Sequence, residues 1–474
     1  MAQNNIIKSN KIIKTNKKQI HVINVKNQNN VKNNNNNIVN EKCINVCNNA
    51  CIPVHNNNKK IIRQIYNASS ITDTNLSYNN IKPSTDDVDR TFYLTVKYYV
   101  SLNGVAPPGC NIMDSWGYDI APRCMFINNS FSKISLQLNN QIFTQNKNSI
   151  LRIEERIKWK SSQSHLSESC TVADQSQLYS ELIDSIRNPL GAIQNSDPNQ
   201  ITARGGFNGI EILSNTPTSA TFYLTGTEPI MLSPLIWKNI VRKPFIHINN
   251  INFNAIFDND LFSRVLSISD SNQNISTYSI KPELSTLNLT FYNIQHKTPI
   301  AKSLSYNYYQ YTQIIINNTI PLISNETAEL TINDIIINPN TMYVYIFVKQ
   351  TNYNAYITDT FARINNISIN SINNISLLTS NSPHQLYQIS VKNGIELTWD
   401  QWYGSTSGLR RNTSGVGSIL CINPVLDLGI KSSNITKISI TVNYTSLFPV
   451  YDNTSKTYSA YVLCVDKYNY SIQP

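Results

Sequence analysis

The chain has 474 residues, which is enough for two or three domains with a large hydrophobic core. Hydrophobic residues make up 41% of the chain, charged residues only 14%, and the formal net charge is +10. No stretch approaches the ~18 consecutive apolar residues of a transmembrane helix, and the first residues lack the apolar centre of a signal peptide, so we expect neither segment. The eight cysteines favour free thiols in a reducing compartment over a disulfide framework.

The first 65 residues are basic and rich in asparagine, including the run Asn33–Asn37. Their basic residues face one acidic residue, Glu41, so this segment accounts for the whole net charge. Such a composition buries too little apolar surface to offset chain entropy, which predicts a disordered arm over residues 1–65. Its charge indicates a polyanionic partner, with a solvated extension that binds nothing as the alternative. The candidate nucleic-acid-binding residues are Lys8, Lys11, Lys14, Lys17, Lys18, Lys26, Lys32, Lys59, Lys60 and Arg63.

A regular set of metal-ligand residues lies within this arm. Cys43, Cys47, Cys51 and His55 recur every four residues, a spacing that would place them on one face of a helix. Thiolates and imidazole could bind Zn²⁺. However, four ligands in such a ladder spread along the helix axis, and Pro53 interrupts the helix. We therefore predict no metal site and no cofactor, and retain these four residues as a weak candidate.

The first folded block is predicted to be mainly β. We interpret residues 66–90 as a polar lead-in segment and residues 91–268 as the first domain. Within that domain, apolar and β-branched runs between turn signals predict strands at Phe92–Val100, Lys133–Leu138, Ile150–Lys158, Ala220–Thr225, Val241–Ile248 and Ile251–Phe257. Asn139-Asn140 predicts a tight turn. One amphipathic helix is predicted between Asp174 and Asn188-Pro189.

A second block of the same kind follows. Residues 269–286 are polar, contain Pro282, and are interpreted as a linker, which leaves residues 287–474 as the second domain. Strands are predicted there at Tyr306–Ile316, Thr327–Ile337, Met342–Lys349, Ile435–Leu447 and Tyr458–Asp466. Short strands separated by frequent turn signals are typical of β-sandwiches or barrels, here two in tandem.

Three pairs of short stretches suggest that the two blocks are duplicates. Ile251–Phe257 resembles residues 442–448, and Ser233-Pro234-Leu235 resembles Asn423-Pro424-Val425 upstream of it. Near the start of the blocks, Leu94-Thr95-Val96 resembles Leu289-Thr290-Phe291. Three matches in the same order favour a duplicated β domain over chance similarity between alternating strands.

Nothing in the sequence argues for an enzyme. The six histidines form no short-spaced pair, and Glu154 and Glu155 are consecutive on a predicted strand, so they point to opposite faces. The glycine-rich segment 404–417 lacks the Gly-x4-Gly-Lys-Ser/Thr pattern of a phosphate loop. Trp399 and Trp402 could line a sugar site, but such a pair more often anchors a loop on a core, and we favour the anchor.

Several stretches carry a resemblance to a known family. They are Pro122–Asn129 followed by SLQLNNQIF, Arg187–Leu190 leading to Arg204–Phe207, and Leu386–Gly394 with Trp399 close behind. Over roughly residues 90–474 the chain resembles the double jelly-roll major capsid proteins of tectiviruses, virophages, polinton-like viruses and adenoviruses. The resemblance implies two tandem jelly-roll β-sandwich domains behind the disordered basic arm, and no catalytic residues.

The same resemblance implies a function and its partners. Three chains would form a pseudo-hexagonal capsomer, because two similar domains in three subunits give six similar corners. These homotrimers would tile an icosahedral capsid of a virion assembled inside the host cell. The arm would meet the genome or an inner membrane, neutralising phosphates without reading sequence. Minor capsid or penton proteins are further expected partners.

Two other classes stay open from the sequence. Long basic arms are commoner in capsid proteins with one jelly-roll shell domain and one projecting β domain, so that architecture is an alternative. A non-viral β-sandwich that binds carbohydrate through Trp399 and Trp402 is another. An enzyme such as a glycoside hydrolase would need two carboxylates that converge on one cleft.

Overall fold

The computed structural model describes residues 60–472 of the chain, with gaps. The gaps are residues 84–86, 117–119, 124, 148–149, 151–152, 154–206, 236–243, 269–274, 294–303, 352–354, 356–360, 372–374, 405–416, 431–432, 434 and 448–454. The predicted arm up to residue 59, with its four candidate metal ligands, lies outside the described residues. So does the helix predicted between Asp174 and Asn188-Pro189.

The described residues are mainly β-strands joined by short helices. In the first half the strands are β1 (Lys60–Asn67), β2 (Ser70–Ile71), β3 (Asn75–Ile81), β4 (Asp87–Val88), β5 (Tyr93–Gly104), β6 (Ile120–Pro122), β7 (Phe131–Leu138), β8 (Gln141–Asn146), β9 (Phe207–Asn215), β10 (Ser219–Pro229), β11 (Phe245–Ile246), β12 (Ile251–Phe257), β13 (Leu266–Ile268) and β14 (Ile275–Asn293). The helices there are a 3-10 turn (Ile112–Ser115), α1 (Phe126–Asn129) and α2 (Leu261–Val265).

The second half contains fewer and longer strands. They are β15 (Leu304–Asn317), β16 (Thr327–Ile337), β17 (Thr341–Gln350), β18 (Arg363–Ser371), β19 (Leu420–Ile422), β20 (Thr436–Thr445) and β21 (Tyr458–Ile472). The helices are α3 (Pro383–Lys392), α4 (Trp399–Tyr403) and α5 (Pro424–Leu428).

The first half folds into two large antiparallel sheets and a separate two-stranded sheet, β6–β13. Eight strands form the frame: β1, β3, β5, β7, β8, β10, β12 and β14. One sheet has the order β1-β14-β5-β10, the other β3-β12-β7-β8. When the eight frame strands are numbered in chain order, the first of these sheets contains strands one, eight, three and six. The other sheet contains strands two, seven, four and five. This arrangement is the jelly roll, a two-sheet Greek-key sandwich. We call it roll 1.

The second half repeats the same connectivity and is called roll 2. Its sheets have the orders β15-β21-β17-β19 and β16-β20-β18. The fifth strand is reduced to a single bridge between Ile369 and Leu377. Two tandem jelly rolls are therefore confirmed. The alternative of one jelly roll with a different projecting domain is wrong, because both halves share the same strand order.

The core of each roll lies between its two sheets and follows strand alternation. Along β5, Leu94, Val96, Tyr98, Val100 and Leu102 are buried, while the residues between them are half-buried on the opposite face. Strand β12 likewise alternates, with every second residue from Ile251 to Phe257 buried. Burying an aliphatic or aromatic side chain contributes about 1.5–3 kcal/mol, so these inward rows account for the sandwich.

The predicted domain boundaries need correction at the start of roll 1. Strand β1 begins at Lys60, inside the arm predicted over residues 1–65, and pairs with β14 along its whole length. The lead-in predicted over residues 66–90 contains the end of β1, then β2, β3 and β4. The sequence did not predict these strands because polar residues such as Asn79 and Asn80 occupy their exposed positions.

The predicted linker over residues 269–286 is also wrong from Ile275 onward. Those residues belong to β14, which pairs with β5 until Asn288. Pro282 is accommodated because the pairing shifts register between Pro282 and Leu284, and such a bulge is where a strand tolerates proline. Roll 1 therefore runs to Asn293, and residue 287 does not begin the second domain.

The duplication rests on two of the three sequence matches. Ile251–Phe257 is β12, and residues 442–445 lie in β20, the seventh strand of each roll. Ser233-Pro234-Leu235 and Asn423-Pro424-Val425 each follow the sixth strand. The third match is wrong, because Leu289-Thr290-Phe291 closes roll 1 and does not open roll 2.

Most other predicted strands are confirmed, and two differ. The tight turn at Asn139-Asn140 joins β7 to β8, as predicted. Of the strand predicted over Val241–Ile248, residues 244–248 are described, and only β11 is a strand among them. At Ile150 and Ile153 the backbone is helical, so the strand predicted over Ile150–Lys158 is wrong there. A spacing of three places both buried isoleucines on one side of a helix.

Candidate assembly surfaces

The two rolls meet at the beginning of β15, where Tyr306 is buried against roll 1. Its hydroxyl donates to the carbonyl of Pro244 at 2.9 Å and accepts from the amide of Ile246 at 3.2 Å. Its ring packs edge-on against Phe245, with 5.1 Å between centroids. Burial raises the pKa of Tyr306. The connection between the sixth and seventh strands of roll 1 thus contacts the first strand of roll 2.

A second set of aromatic contacts continues this junction. Phe143 on β8 lies edge-on to both Tyr308 and Tyr470, with centroid distances of 5.2 and 5.1 Å. The Tyr470 hydroxyl donates to the Leu138 carbonyl at 3.4 Å, and burial raises the pKa of Tyr470 to about 12. The Tyr309 amide donates to the Ser233 hydroxyl at 2.8 Å. The start of β15 and the end of β21 pair with each other, so one end of this strand pair contacts roll 1.

A third apolar cluster covers the outer face of roll 2. Leu463 and Phe347 point away from the interior of roll 2 and are fully buried. Ile150 and Ile153, which follow β8 of roll 1, belong to the same cluster. Roll 1 therefore supplies side chains that cover the outer face of roll 2 in the same chain.

Exposed apolar side chains occur at several places in the described part of the chain, and two of these places lie on elements equivalent to those that meet at the junction between the rolls. On the edge strand β1, Ile61 and Ile65 are 56% and 69% exposed. In the connection between β19 and β20, Val425, Leu426 and Ile435 are 44%, 68% and 69% exposed. Groups of exposed apolar side chains mark surfaces that contact a partner.

The Pro122–Asn129 stretch builds a buried polar network in roll 1. The carboxylate of Glu228 accepts from the amides of Ile127 and Asn128 at 3.1 and 2.9 Å, and also from the Asn128 side chain. The Asn128 side-chain oxygen accepts from the Met231 amide at 3.0 Å. Glu228 thereby satisfies amides at the start of α1, where the helix leaves them without partners. The network positions the chain and has no exposed reactive group.

The candidate site residues from the sequence are only partly described. Lys60 and Arg63 lie on β1, and Arg63 is exposed. The other eight basic candidates, like Cys43, Cys47, Cys51 and His55, lie outside the described residues. In the part that is described, no group of three or more His, Cys, Asp and Glu side chains could bind a metal ion. Among the same residues, no helix is long and apolar enough to cross a membrane.

The two tryptophans behave as the anchor that the sequence favoured. Trp402 is fully buried, and its indole nitrogen donates to the Ile419 carbonyl at 2.7 Å. Trp399 stacks on Trp402 and on Tyr403, with centroids 6.1 and 4.7 Å apart. Trp402 cannot contact a sugar from this position.

Sequence reasoning missed the helix α3 although its start carries a clear signal. The side chain of Ser382 accepts from the Gln385 amide, and the Gln385 side chain accepts from the Ser382 amide. Pro383 occupies the first turn. This capping box with a first-turn proline is the sequence signature of a helix start.

Comparisons with known proteins agree with this architecture. A family model described as the Sputnik virophage major capsid protein 1st domain matches residues 33–296, and one described as the major capsid protein V20 C-terminal domain matches residues 308–465. The putative capsid protein V20 of Sputnik virophage is 25% identical over 279 residues, or 54% of this chain. That alignment covers 47% of V20, so the chain spans about half the length of this curated relative.

Solved structures show the same fold. The cryo-EM structure of the Sputnik virophage matches with a TM-score of 0.77 and 20% identity, over 93% of this chain and 92% of that one. The crystal structure of the mavirus major capsid protein matches with a TM-score of 0.71 and 15% identity, over 87% and 90%. The family is a structural one and not a class of enzymes. With one family model covering more than half of its residues, the chain belongs to the virophage major capsid proteins.

Proposed function

We propose that three copies of this protein form a pseudo-hexagonal capsomer, and that these capsomers tile an icosahedral virion shell. The observation that carries this proposal is the repetition of one strand order in both rolls of a single chain. Three chains then present six similar rolls, and cyclic association closes a ring whose outline is close to hexagonal. The role is structural and requires no catalytic step.

The arm, redefined as residues 1–59, is proposed to bind the packaged genome. It contains nine lysines and Glu41 as its single acidic residue. Lysine-rich segments bind phosphates regardless of sequence. Their affinity falls steeply as the salt concentration rises, because the release of counterions from the nucleic acid then contributes less free energy. Contacts of the arm with an inner membrane, and contacts of the shell with minor capsid or penton proteins, stay predictions.

The experiment that tests the capsomer is a native mass measurement on the purified full chain, followed by negative-stain microscopy of the same sample. We expect a mass of three chains and particles with a hexagonal outline. A monomer that persists at high concentration, with or without added nucleic acid, would contradict the proposal.

A further inference from the structure

Within one chain, the junction between the rolls has a polarity. Roll 1 contributes the connection between its sixth and seventh strands, and roll 2 contributes the beginning of its first strand. The contacts are those of Tyr306 with Pro244, Phe245 and Ile246, and of the Tyr309 amide with Ser233. We call the connection on roll 1 the contributing surface and the first strand of roll 2 the receiving surface. Because these two surfaces differ, the contact is heterologous.

Roll 2 has a surface equivalent to the one that roll 1 contributes to the junction, and no described residue of the same chain covers it. The connection between β19 and β20 occupies the position that Ser233–Ile248 occupies in roll 1, and it opens with the matching Asn423-Pro424. Val425, Leu426 and Ile435 on this connection are all exposed. We call these three residues the roll 2 apolar patch.

Helix α5 holds two residues of this patch, Val425 and Leu426, in a fixed orientation. The side-chain oxygen of Asn423 accepts from the amides of Val425 and Leu426, each at 3.1 Å. The carboxylate of Asp427 accepts from the Asn423 amide at 2.8 Å and from the Asn393 side chain at 2.6 Å. Leu428 is buried, so the helix is fastened on one side and presents Val425 and Leu426 on the other. A surface ordered before binding loses less conformational entropy when a partner docks.

Roll 1 carries the corresponding receiving surface. Strand β1 is its first strand, as β15 is in roll 2, and among the described residues β1 pairs only with β14. Ile61 and Ile65 project from it into solvent. An edge strand with exposed apolar side chains is prone to pair with another chain unless a partner covers it.

We propose that the roll 2 apolar patch of one copy packs against β1 of a second copy of this chain, with Leu426 close to Ile61. This inference rests on the proposed trimer and names the surfaces that close it. Contacts within and between chains then alternate around six rolls, each made by the same pair of structural elements. The contact is heterologous, and three such contacts close a ring without leaving an unsatisfied surface.

Charge substitution tests the location of this contact in the full chain. Leu426→Glu and Ile61→Glu each place a carboxylate in the proposed interface, where burial without a partner is unfavourable. We expect both variants to be monomers at concentrations at which the wild type is a trimer, with the far-UV circular dichroism spectrum of the wild type retained because each chain still folds. The matched control is Ile320→Glu, because Ile320 is 66% exposed but lies between β15 and β16, outside the proposed contact. It should remain trimeric.

Cross-linking tests the polarity of the contact. The single variants Ile61→Cys and Leu426→Cys are each expressed alone and are also co-expressed. All three samples are treated with a short bis-maleimide, and the wild type treated in the same way shows which cross-links come from native cysteines. The co-expressed pair should give a cross-linked dimer that neither single variant gives. Trimeric Leu426→Glu or Ile61→Glu, or the absence of this cross-link in mixed trimers, would overturn the inference and leave the trimer intact. A wild type that never trimerises would instead remove the proposed function itself.

Discussion

The outer faces of the two rolls are built on equivalent strands but have different chemistry. In roll 2 that face is apolar and covered, with Phe347 and Leu463 packed beneath Ile150 and Ile153. In roll 1 it is polar, and the ammonium of Lys97 lies 3.8 Å from the centroid of the Tyr223 ring. The side chains that point into the core of each roll are apolar in both rolls and maintain the common strand order. The side chains on the outer face can therefore differ between the rolls, according to what covers that face.

The largest expected effect comes from introducing a charge on the covered face. Leu463→Asp would bury an unpaired carboxylate between the rolls, where neither solvent nor a cation stabilises it. We expect roll 2 to unfold at room temperature, seen as loss of near-UV circular dichroism. The control is Thr225→Asp on the outer face of β10 in roll 1, which should lower the unfolding free energy by less than about 1 kcal/mol. Equal effects of the two changes would show that the faces do not differ.

Two deletions separate the arm from the sheet. Removing residues 1–59 should leave the melting temperature unchanged and abolish most salt-sensitive retention on heparin. Removing residues 1–67 also deletes β1 and exposes one edge of β14, so the melting temperature should fall by several degrees. A shorter deletion that destabilises the protein as much as the longer one would contradict the strand boundary at Lys60.

The junction between the rolls should respond to alkaline pH. Burial raises the pKa of Tyr470 from its usual value of 10 to about 12. The neutral phenol is therefore favoured in the folded state, and its contribution is fully present below pH 10 and is lost as pH rises through 12. We expect the unfolding free energy of Tyr470→Phe to decline less over this window than that of the wild type. Parallel curves in urea titrations would contradict this assignment.

The smallest expected effect is on the polar face of roll 1. Lys97 and Glu211 form an ion pair at 3.0 Å, but both side chains are partly solvated. Such pairs contribute little, so Lys97→Ala should lower the unfolding free energy by less than about 1 kcal/mol. A loss well above this value at both low and high salt would contradict this expectation, because screening by salt weakens an exposed ion pair.

Strand periodicity predicted much of the fold. The predicted bounds of Thr327–Ile337 and Ile251–Phe257 coincide with β16 and β12, because both segments are β-branched or aromatic and end at clear turns. The start of strand β14 was missed because all four residues from Ser276 to Ser279 are exposed, without the alternation typical of a half-buried strand, and so resemble a linker. Local composition does not reveal that a polar strand has one buried face.

The assembly surfaces could be predicted less well than the strands. The contacts of Tyr306 with Pro244 and of Tyr470 with Leu138 join residues that are far apart in sequence, so no local pattern encodes them. The exposure of Leu426 and Ile61 follows from what the rest of the fold leaves uncovered. The family resemblance supplied the capsid function, while the positions of the surfaces required the three-dimensional arrangement.

The position of β21 has a consequence for synthesis. This strand lies between β15 and β17 in the sheet, and its Tyr470 contacts roll 1, so it completes roll 2 and the junction at once. Roll 1 can close on the ribosome once β14 has emerged, whereas roll 2 must wait until residue 472 is translated. A nascent chain interrupted before Tyr458 lacks the central strand of that sheet. Such a chain also lacks Tyr470, so its roll 2 can complete neither the sheet nor the junction with roll 1.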